Sequence, residues 1–453
     1  MSKIKLFISI MVIVFGLAQA TYGDPYLIKF KGAPNHPKAK VYKNILNGRA
    51  AKIDLTKDEA EKLKKDPNVE YIEEDGIVTK DVIPNDALFG SLWGMSKIDA
   101  PLAWDITTGS DSVVIGLIDT GIDYTHPDLA ANVWTNPNEI AGNGIDDDNN
   151  GYIDDIHGIN AALETSDPMD DNSHGSHTGG TIGGIGNNLI GVAGVNWRIK
   201  IVACKFLSSA GTGWRSNAIG CFNYLKGLRD KGINVRINSN SWGGPGFSQM
   251  LHDTICSNPE MLAVFAAGNY AQDSDVYPHY PAAYDCPNIL SVAATTESDG
   301  LAGFSNWGKI AVDMGAPGTN IMSSIPDGLY TSYNGTSMAC PHVAGAAALL
   351  LSYDPSLTIA QLKSRLMDLG DPVASLANKT VSGKRLNVFN SLMVTPPPPP
   401  PPVCEPLPTQ YRTFRCSPPY KGEITQKRIS TCPGPTWGTW TTISSSCHKG
   451  GKK

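Results

Sequence analysis

The stretch Val113-Val114-Ile115-Gly116-Leu117-Ile118-Asp119-Thr120-Gly121 predicts a buried strand of a parallel sheet that ends in a carboxylate. Its apolar residues follow one another without polar alternation, which is typical of a strand covered on both faces. In open α/β sheets, functional sites are built at the carboxyl ends of such strands. Strands alternate with helices through the central part of the chain, so we expect a mainly parallel sheet with helices on both faces and Asp119 at its functional edge.

Two further stretches place polar groups at the ends of apolar elements. The run from Leu262 to Ala267 is a second buried-strand pattern, and it ends in Gly268 and Asn269. Ser337 opens a long helix pattern of small and apolar residues, in the first turn, where free backbone N–H groups and the helix dipole favour negative charge. An isolated serine in this position would be only a helix cap. A serine beside a base would be a nucleophile.

The segment Asn172 to Gly180 supplies a candidate base. His174 lies at the head of a glycine-rich helix pattern, with Ser173 as its predicted N-cap. An imidazole with an ordinary pKa of about 6.5 accepts a serine proton at neutral pH and returns it later. A carboxylate such as Asp119 would hold the ring tautomer and stabilise the imidazolium.

Three short blocks resemble the signatures of the subtilisin-like serine peptidases: Ile118-Asp119-Thr120-Gly121, His174-Gly175-Ser176-His177 and Gly335-Thr336-Ser337-Met338-Ala339. Their order along the chain, Asp before His before Ser, is the order of subtilisin. The resemblance implies a catalytic triad of Asp119, His174 and Ser337 in a subtilisin-like three-layer fold over residues 86–394. It assigns His177, the second histidine of its block, to structure.

The resemblance extends to the binding of substrate. The Ala-Gly-Asn turn implies that the Asn269 amide and the Ser337 backbone N–H stabilise an oxyanion. Two extended segments would pair with the substrate main chain, and the primary pocket would lie between them. His279 would lie at the pocket floor, where many members have glycine; the alternative is an exposed His279. The residues implied in substrate binding are Ser241, Trp242, Gly243, Gly211, Ala266, Ala267, Gly268 and His279.

The first residues carry the pattern of an exported protein. Two lysines precede a short apolar run, and Ala18-Gln19-Ala20 is a small-x-small cleavage pattern, so residues 1–20 are interpreted as a signal peptide. Residues 21–85 resemble the inhibitory propeptide of the same family, a small α+β unit that assists folding and occupies the cleft until it is cut away. The alternative is a small independent domain with no regulatory role.

An acidic insertion between Asn143 and Asp155 offers oxygen ligands at alternating positions. It follows the first part of an EF-hand-like loop, but His157 stands where the bidentate glutamate would be. Secreted subtilases commonly use calcium for stability, so the resemblance favours structural Ca²⁺, with no cofactor needed for catalysis. A solvated acidic turn is the alternative. The predicted ligands are Asp146, Asp148, Asn150, Tyr152 and Asp154.

Nine cysteines in an exported chain indicate disulfides. Five of them lie in the catalytic region, where we expect the sequence-local pairs Cys204 with Cys221 and Cys256 with Cys286. Spacing alone does not establish these pairs. Cys340 is then left as a free thiol in the helix that carries the nucleophile.

The C-terminal part is predicted to be a separate module. Residues 395–402 form a polyproline linker, and residues 403–453 hold four cysteines that would have to stabilise so small a fold. An exposed aromatic and basic surface would bind a glycan, the cell envelope or a protein. Alternatively, the two tryptophans are the only core of the module. The residues concerned are Trp437, Trp440, Tyr411, Arg412 and Arg415.

Together these features predict a secreted serine endopeptidase, extracellular or periplasmic, made as a zymogen with a self-processed propeptide. Its partners would be protein or peptide substrates and its own propeptide. The rival hypothesis is a secreted, non-catalytic scaffold that presents the C-terminal module. Residues 335–339 lack the Gly-x-Ser-x-Gly form of an α/β-hydrolase esterase. A formal net charge of −6 gives no indication of nucleic-acid binding, and no later stretch has the length of a membrane span.

Overall fold

The computed structural model of the chain describes residues 24–41, 48–76, 82–393, 410–415, 420–421, 423–428, 430–431, 436–437, 441–446 and 448–449. They belong to two compact units that meet in sequence between residues 80 and 81. The predicted signal peptide, polyproline linker and four C-terminal cysteines lie outside the described residues. The boundaries at residues 20, 85, 394 and 402 therefore stay predictions.

The N-terminal unit is an antiparallel sheet with the strand order β2-β3-β1-β4, accompanied by a helix. Its elements are β1 (Asp24–Phe30), β2 (Lys40–Val41), β3 (Ala50–Leu55), α1 (Lys57–Leu63) and β4 (Val69–Glu74). Helix α1 begins with a capping box, because the Thr56 hydroxyl accepts from the Glu59 N–H while the Glu59 carboxylate accepts from the Thr56 N–H. Alternate residues of the strands, such as Ile28 and Ile53, form the core of this small α+β unit.

The larger unit is built on a nine-stranded sheet with the order β14-β15-β11-β10-β9-β8-β5-β7-β6, in which all neighbours are parallel except β14 and β15. The strands are β5 (Gly109–Asp119), β6 (Gly158–Asn160), β7 (Arg198–Lys205), β8 (Val235–Asn240), β9 (Leu262–Ala266), β10 (Ile289–Thr295), β11 (Met314–Pro317), β14 (Asp371–Pro372) and β15 (Lys384–Arg385). A hairpin of β12 (Ile321–Ile325) and β13 (Leu329–Tyr333) lies outside this sheet.

Helices cover both faces of the sheet. They are α2 (Trp93–Lys97), α3 (Ala100–Trp104), α4 (His174–Gly183), α5 (Arg215–Asp230), α6 (Gln249–Cys256), α7 (Thr336–Tyr353), α8 (Ile359–Asp368) and α9 (Val388–Leu392). On β5, Val113, Ile115 and Leu117 face a core shared with α4 and α7, while Val114 and Ile118 face a core shared with α5 and α6. Successive side chains of a strand point to opposite faces, so one unbroken apolar run serves both cores. The expected three-layer fold with a mainly parallel sheet is confirmed.

Two disulfides of the larger unit agree with the sequence-local pairs. Cys204 of β7 is joined to Cys221 of α5, and Cys256 at the end of α6 is joined to Cys286. Cys340 is a free thiol, buried in α7. Both predicted pairs and the free cysteine are confirmed.

The described C-terminal segments form short antiparallel strands. They are β16 (Gln410–Arg415), β17 (Tyr420–Lys421), β18 (Glu423–Arg428), β19 (Ser430–Thr431), β20 (Thr436–Trp437), β21 (Thr441–Ser445) and β22 (His448–Lys449). Three of them pair in the order β16-β18-β21. Trp440 lies outside the described residues. Nowhere in the described part of the chain is there a helix with the length and apolar character that crossing a membrane requires.

Two glycines allow α4 to lie directly on the turn after β5. A Cβ on Gly175, in the first turn of α4, would lie 2.0 Å from the carbonyl oxygen of Gly121. Gly121 itself has a φ of 108°, and a Cβ there would lie 2.2 Å from the carbonyl oxygen of Pro168. The backbones of α4, of the turn after β5 and of the loop at Pro168 are thus in direct contact.

Replacing Gly175 by alanine should therefore force the helix away from β5 and lower the free energy of unfolding by about 1–3 kcal/mol, the usual cost of overpacking. Gly220 of α5 is the matched control, because its Cβ would meet no atom within 4 Å. Gly220→Ala should raise the stability by about 0.5–1 kcal/mol. Urea unfolding of the two variants measures both effects, and equal effects would contradict the close approach.

Candidate active site

Asp119 and His174 form a hydrogen-bonded pair at the carboxyl edge of the sheet. Asp119 ends β5 and is fully buried, and Nδ1 of His174, the first residue of α4, donates to its Oδ1 at 2.7 Å. The Thr120 N–H donates to the same oxygen, also at 2.7 Å. Burial lowers the pKa of His174, but the charge and hydrogen bond of Asp119 more than offset this and raise it above its ordinary value. The pair is thus arranged to stabilise an imidazolium.

The head of α4 is held by Asp170. Its carboxylate accepts the backbone N–H groups of Ser173 and Ser176 at 3.1 and 2.8 Å and the Thr120 hydroxyl at 2.8 Å. Ser173 does occupy the N-cap position, but its φ of 95° turns its hydroxyl to the Tyr333 hydroxyl, 2.8 Å away. Ser173 is thus the N-cap residue as predicted, but the Asp170 carboxylate, with two acceptor oxygens, replaces its hydroxyl as the capping group.

Lys205 braces the same turn from the end of β7. Its buried ammonium donates to the carbonyl oxygens of Thr120 and Leu207 at 2.6 and 3.0 Å and to Asp171 at 2.6 Å. A buried charge is tolerated when it is paired and hydrogen-bonded in this way. Lys205 and Asp170 together tie the strand that carries the acid to the helix that carries the base.

His177 lies in the interior, one turn after His174. Its Nε2 donates to the carbonyl oxygens of Ile321 and Thr331 at 3.0 and 3.2 Å, and its ring stacks on Tyr333 with centroids 4.5 Å apart. Burial lowers the pKa of His177 to about 4. The ring is therefore neutral at pH 7 and joins α4 to the β12–β13 hairpin.

Ser337 and Asn269 approach the site from the other side. Ser337 is the second residue of α7, so its N–H is one of the free donors of the helix start. Its hydroxyl donates to the Ser241 carbonyl oxygen at 3.1 Å in this rotamer. Oδ1 of Asn269, just after β9, accepts from the Thr336 N–H and hydroxyl at 2.8 and 2.9 Å. This engages the carbonyl end of the amide and leaves Nδ2 to donate into the cleft.

His174, Ser337 and Asn269 line one cleft of about 700 Å³. Most of the residues predicted to bind substrate line it as well: Ser241, Trp242, Gly243, Gly211, Ala266, Gly268 and His279. Ala267 is the exception, since it is buried against Ala293 and Val312. The segments around Ser241 and Gly211 are extended or turned and lie outside the assigned strands.

Sequence patterns did not identify several residues that shape this site. Thr336 orients the Asn269 amide, and its place inside the serine block was the only signal for it. Asp170 and Lys205 belong to none of the sequence motifs described above. Arg215 also lines the cleft and donates to the carbonyl oxygens of Pro245 and Gly246 at 2.8 and 2.7 Å.

The aspartates of the acidic insertion accept hydrogen bonds from nearby backbone groups. The carboxylate of Asp146 accepts the backbone N–H groups of Asn150 and Gly151. Asp154 accepts those of Gly142 and Gly144. Aspartates readily satisfy nearby backbone donors in this way. The predicted ligand set therefore stays a prediction.

A different group of carboxylates does converge beside the insertion. Glu139, Asp148 and Asp155 each offer an oxygen within 4.8 Å of the others. Burial raises the pKa of Asp155 to about 6, although hydrogen bonds from Tyr224, Asn150 and Asn136 oppose the shift. Crowded, partly buried carboxylate oxygens suit a hard cation such as Ca²⁺. Asp148 alone is shared with the predicted ligand set.

A buried carboxylate bonded to a histidine, in a cleft that also contains a serine at a helix start, is an arrangement typical of serine hydrolases. Comparison of the sequence with models of known protein families identifies the family within this class. Residues 110–382 match the family model described as the subtilase family, and residues 19–81 match the peptidase inhibitor I9 model. The chain therefore belongs to the subtilase family of serine peptidases and carries an I9-type inhibitor domain at its N-terminal end.

The relatives of the chain include proteases of different lengths. It is 36% identical over 335 residues to subtilisin-like protease 1 of Plasmodium berghei, an alignment that covers 68% of this chain and 54% of that protein. It is 35% identical over 343 residues to subtilisin E of Bacillus subtilis, covering 75% of this chain and 80% of that protein. The chain thus spans about half the length of the Plasmodium relative.

The buried histidines predict acid instability. His177 and His342 both have folded-state pKa values of about 4, lowered chiefly by burial, against about 6.5 in an unfolded chain. Between these values the unfolded chain binds more protons, so the free energy of unfolding should fall as the pH falls from 6.5 towards 4. Urea unfolding from pH 7 to 4, with Ser337→Ala to prevent self-digestion, measures the slope.

The matched control is His342→Gln in the same Ser337→Ala background. It lowers the stability at every pH but should reduce the slope by up to one proton, about 1.4 kcal/mol per pH unit. A slope unchanged by this substitution would contradict the assignment of His342.

Proposed function

We propose that this chain is a secreted serine endopeptidase that hydrolyses peptide bonds through an acyl-enzyme on Ser337. The observation that carries the proposal is the 2.7 Å hydrogen bond between His174 and Asp119 beside the cleft that also holds Ser337 and Asn269. Family membership supports it, since the relatives are named subtilisin or subtilisin-like protease. The rival scaffold hypothesis is not favoured, because a scaffold needs no such set of groups.

Acylation begins when the Ser337 hydroxyl turns from the Ser241 carbonyl towards Nε2 of His174. His174 accepts the hydroxyl proton as Oγ attacks the peptide carbonyl carbon. Asp119 stabilises the imidazolium that forms. The imidazolium then gives the proton to the leaving amine, and a water molecule repeats the sequence to release the acid.

The negative charge of the tetrahedral intermediate is met by two preorganised donors. One is the Ser337 N–H at the start of α7, and the other is Nδ2 of Asn269, which Thr336 holds in place. Donors that are fixed before the reaction need no reorganisation when the charge develops. Every group in these steps is a side chain or backbone group of this chain.

The I9-type domain supports a zymogen. We propose that residues 21–85 occupy the cleft as an intramolecular inhibitor and are removed by self-cleavage after residues 1–20 have directed export. Secretion is common among subtilisin-like proteases and fits the predicted signal peptide. A glycan, cell-envelope or protein ligand of residues 403–453 stays a prediction.

Expression of the whole chain tests the peptidase. The wild type should cut itself between the propeptide and the catalytic region and then degrade casein, whereas Ser337→Ala should stay full length. Asn269→Ala should lower kcat by about 10²- to 10³-fold, the magnitude known for this donor in subtilisin itself. Mass spectrometry and casein hydrolysis measure these outcomes.

Ser332→Ala, at an exposed serine of β13, is the matched control and should behave as the wild type. A wild type that folds but neither cuts itself nor cleaves casein after removal of the propeptide would overturn the proposal. A peptidase that becomes active only after cleavage by another protease would overturn self-processing alone.

We also propose a structural Ca²⁺ at Glu139, Asp148 and Asp155, in place of the wider set predicted from the loop pattern. Calcium bound by three carboxylates would remove their mutual repulsion and stabilise the insertion. The cation has no part in the chemical steps. Lys231, whose Nζ lies 2.9 Å from Oδ1 of Asp148, balances part of the charge.

Calcium should raise the melting temperature of the Ser337→Ala protein, and a chelator should reverse the rise. Asp155→Asn should abolish the rise. Asp154→Asn is the matched control, because its carboxylate bonds to backbone N–H groups; it should lower the melting temperature equally with and without calcium. A rise that survives Asp155→Asn would place the calcium elsewhere, and no rise at all would exclude structural calcium.

A further inference from the structure

His279 closes one end of the cleft between two glycines. Its Nε2 would lie 2.5 Å from a Cβ placed on Gly243, and its ring carbons would lie 2.9 Å from a Cβ placed on Gly268. The imidazole therefore rests directly against both backbone segments. A glycine in place of His279 would leave the space between the two segments open. The imidazole fills part of this space and makes the gap between the segments shallow.

This gap receives the substrate side chain next to the scissile bond. Asn269, the proposed oxyanion donor, immediately follows Gly268, and Ser241, whose carbonyl accepts from the Ser337 hydroxyl, lies two residues before Gly243. When these donors bind the carbonyl of the scissile peptide bond, the Cα of the acyl-side residue is one bond away from the carbonyl carbon. That side chain must enter the gap whose floor is His279.

The floor is polar and lacks internal partners. His279 is 7% exposed, and within the described part of the chain neither ring nitrogen has a hydrogen-bond partner. The centroid of the neighbouring Tyr270 ring lies 5.6 Å from that of His279. Neither nitrogen is fully buried, so a hydroxyl or carboxamide in the cleft can hydrogen-bond to the ring.

We propose that His279 makes the peptidase specific for an acyl-side residue with a short side chain that ends in a hydroxyl or a carboxamide, namely serine, threonine or asparagine. The inference rests on the proposed peptidase function and names its substrate class. Large apolar side chains are rejected because the ring fills the space that they need and because they leave its nitrogens unpaired.

The ionisation of His279 agrees with a neutral ligand. Burial lowers the pKa of His279, so at pH 7 the ring is uncharged and presents one donor and one acceptor. A hydroxyl or carboxamide also presents a donor and an acceptor. No carboxylate is among the described residues that line the cleft, so an ammonium there would be desolvated without a counter-charge.

Binding and cleavage of one peptide series test the inference separately from the peptidase proposal. The peptides differ only in the acyl-side residue, which is serine, asparagine, leucine or phenylalanine. Calorimetry measures their Kd for Ser337→Ala protein that is folded as the full chain and then freed of its propeptide by added protease, and kcat/KM is measured with the propeptide-free wild type. The polar peptides should bind at least about 10-fold more tightly, and be cut at least about 10-fold faster, than the apolar ones.

Two substitutions distinguish the effect of the size of the His279 ring from the effect of its polarity. His279→Gly should reverse the order in favour of leucine and phenylalanine. His279→Phe keeps a ring on the floor, so it should lose the preference for the polar peptides without gaining the large ones. Tyr277→Ala, at an exposed tyrosine of the same loop that does not line the cleft, should leave the order unchanged.

The outcomes separate the two proposals. If the polar peptides bind more tightly but the wild type cuts none, the peptidase proposal fails and the inference stands. If the apolar peptides are preferred, if no peptide binds, or if the order is the same in His279→Gly as in the wild type, the inference is overturned.

Discussion

The arrangement of the site depends on how closely α4 approaches the turn after β5. At Gly121 and Gly175 the two backbones touch, and a single methyl group on either glycine would overlap a carbonyl oxygen. Only at this separation can the first side chain of α4 reach a carboxylate that belongs to a fully buried strand end. The sheet determines the position of Asp119. Because Gly121 and Gly175 have no Cβ, His174 can come within hydrogen-bonding distance of it.

Polar contacts then stabilise the close approach of α4 to the turn after β5 that the two glycines allow. Asp170 fastens the head of α4 to Thr120, and Lys205 fastens Thr120 to the loop that precedes the helix. Both groups are fully hydrogen-bonded in a place that little water enters, so loosening either one would leave a buried charge unpaired. Asp119 and His174 are therefore held in place without a substrate, which is the preorganisation that the proposed mechanism requires.

The sequence was informative where structure follows from local pattern. The run that ends at Asp119 is a strand buried on both faces, and the block around Ser337 begins a helix; both follow from periodicity. The same alternation explains why Ala266 faces the cleft while Ala267 faces the core. The cap of α4 could not be predicted, because the left-handed backbone of Ser173 and the reach of Asp170 are properties of the folded loop. The carboxylate group beside the acidic insertion could not be predicted for a similar reason, since the folded loop brings Glu139 beside Asp148 and Asp155.

The disulfide between Cys256 and Cys286 closes a covalent ring, with a sequence separation of 30, around β9, Asn269 and His279. Part of this ring is exposed, including Tyr270 and Tyr277, each more than 60% accessible. A peptidase at high concentration meets many copies of itself, and such a segment is open to attack. A cut there would break the chain but not release either piece, so Asn269 and His279 would stay tethered to the molecule. The crosslink thus makes the enzyme tolerant of its own activity.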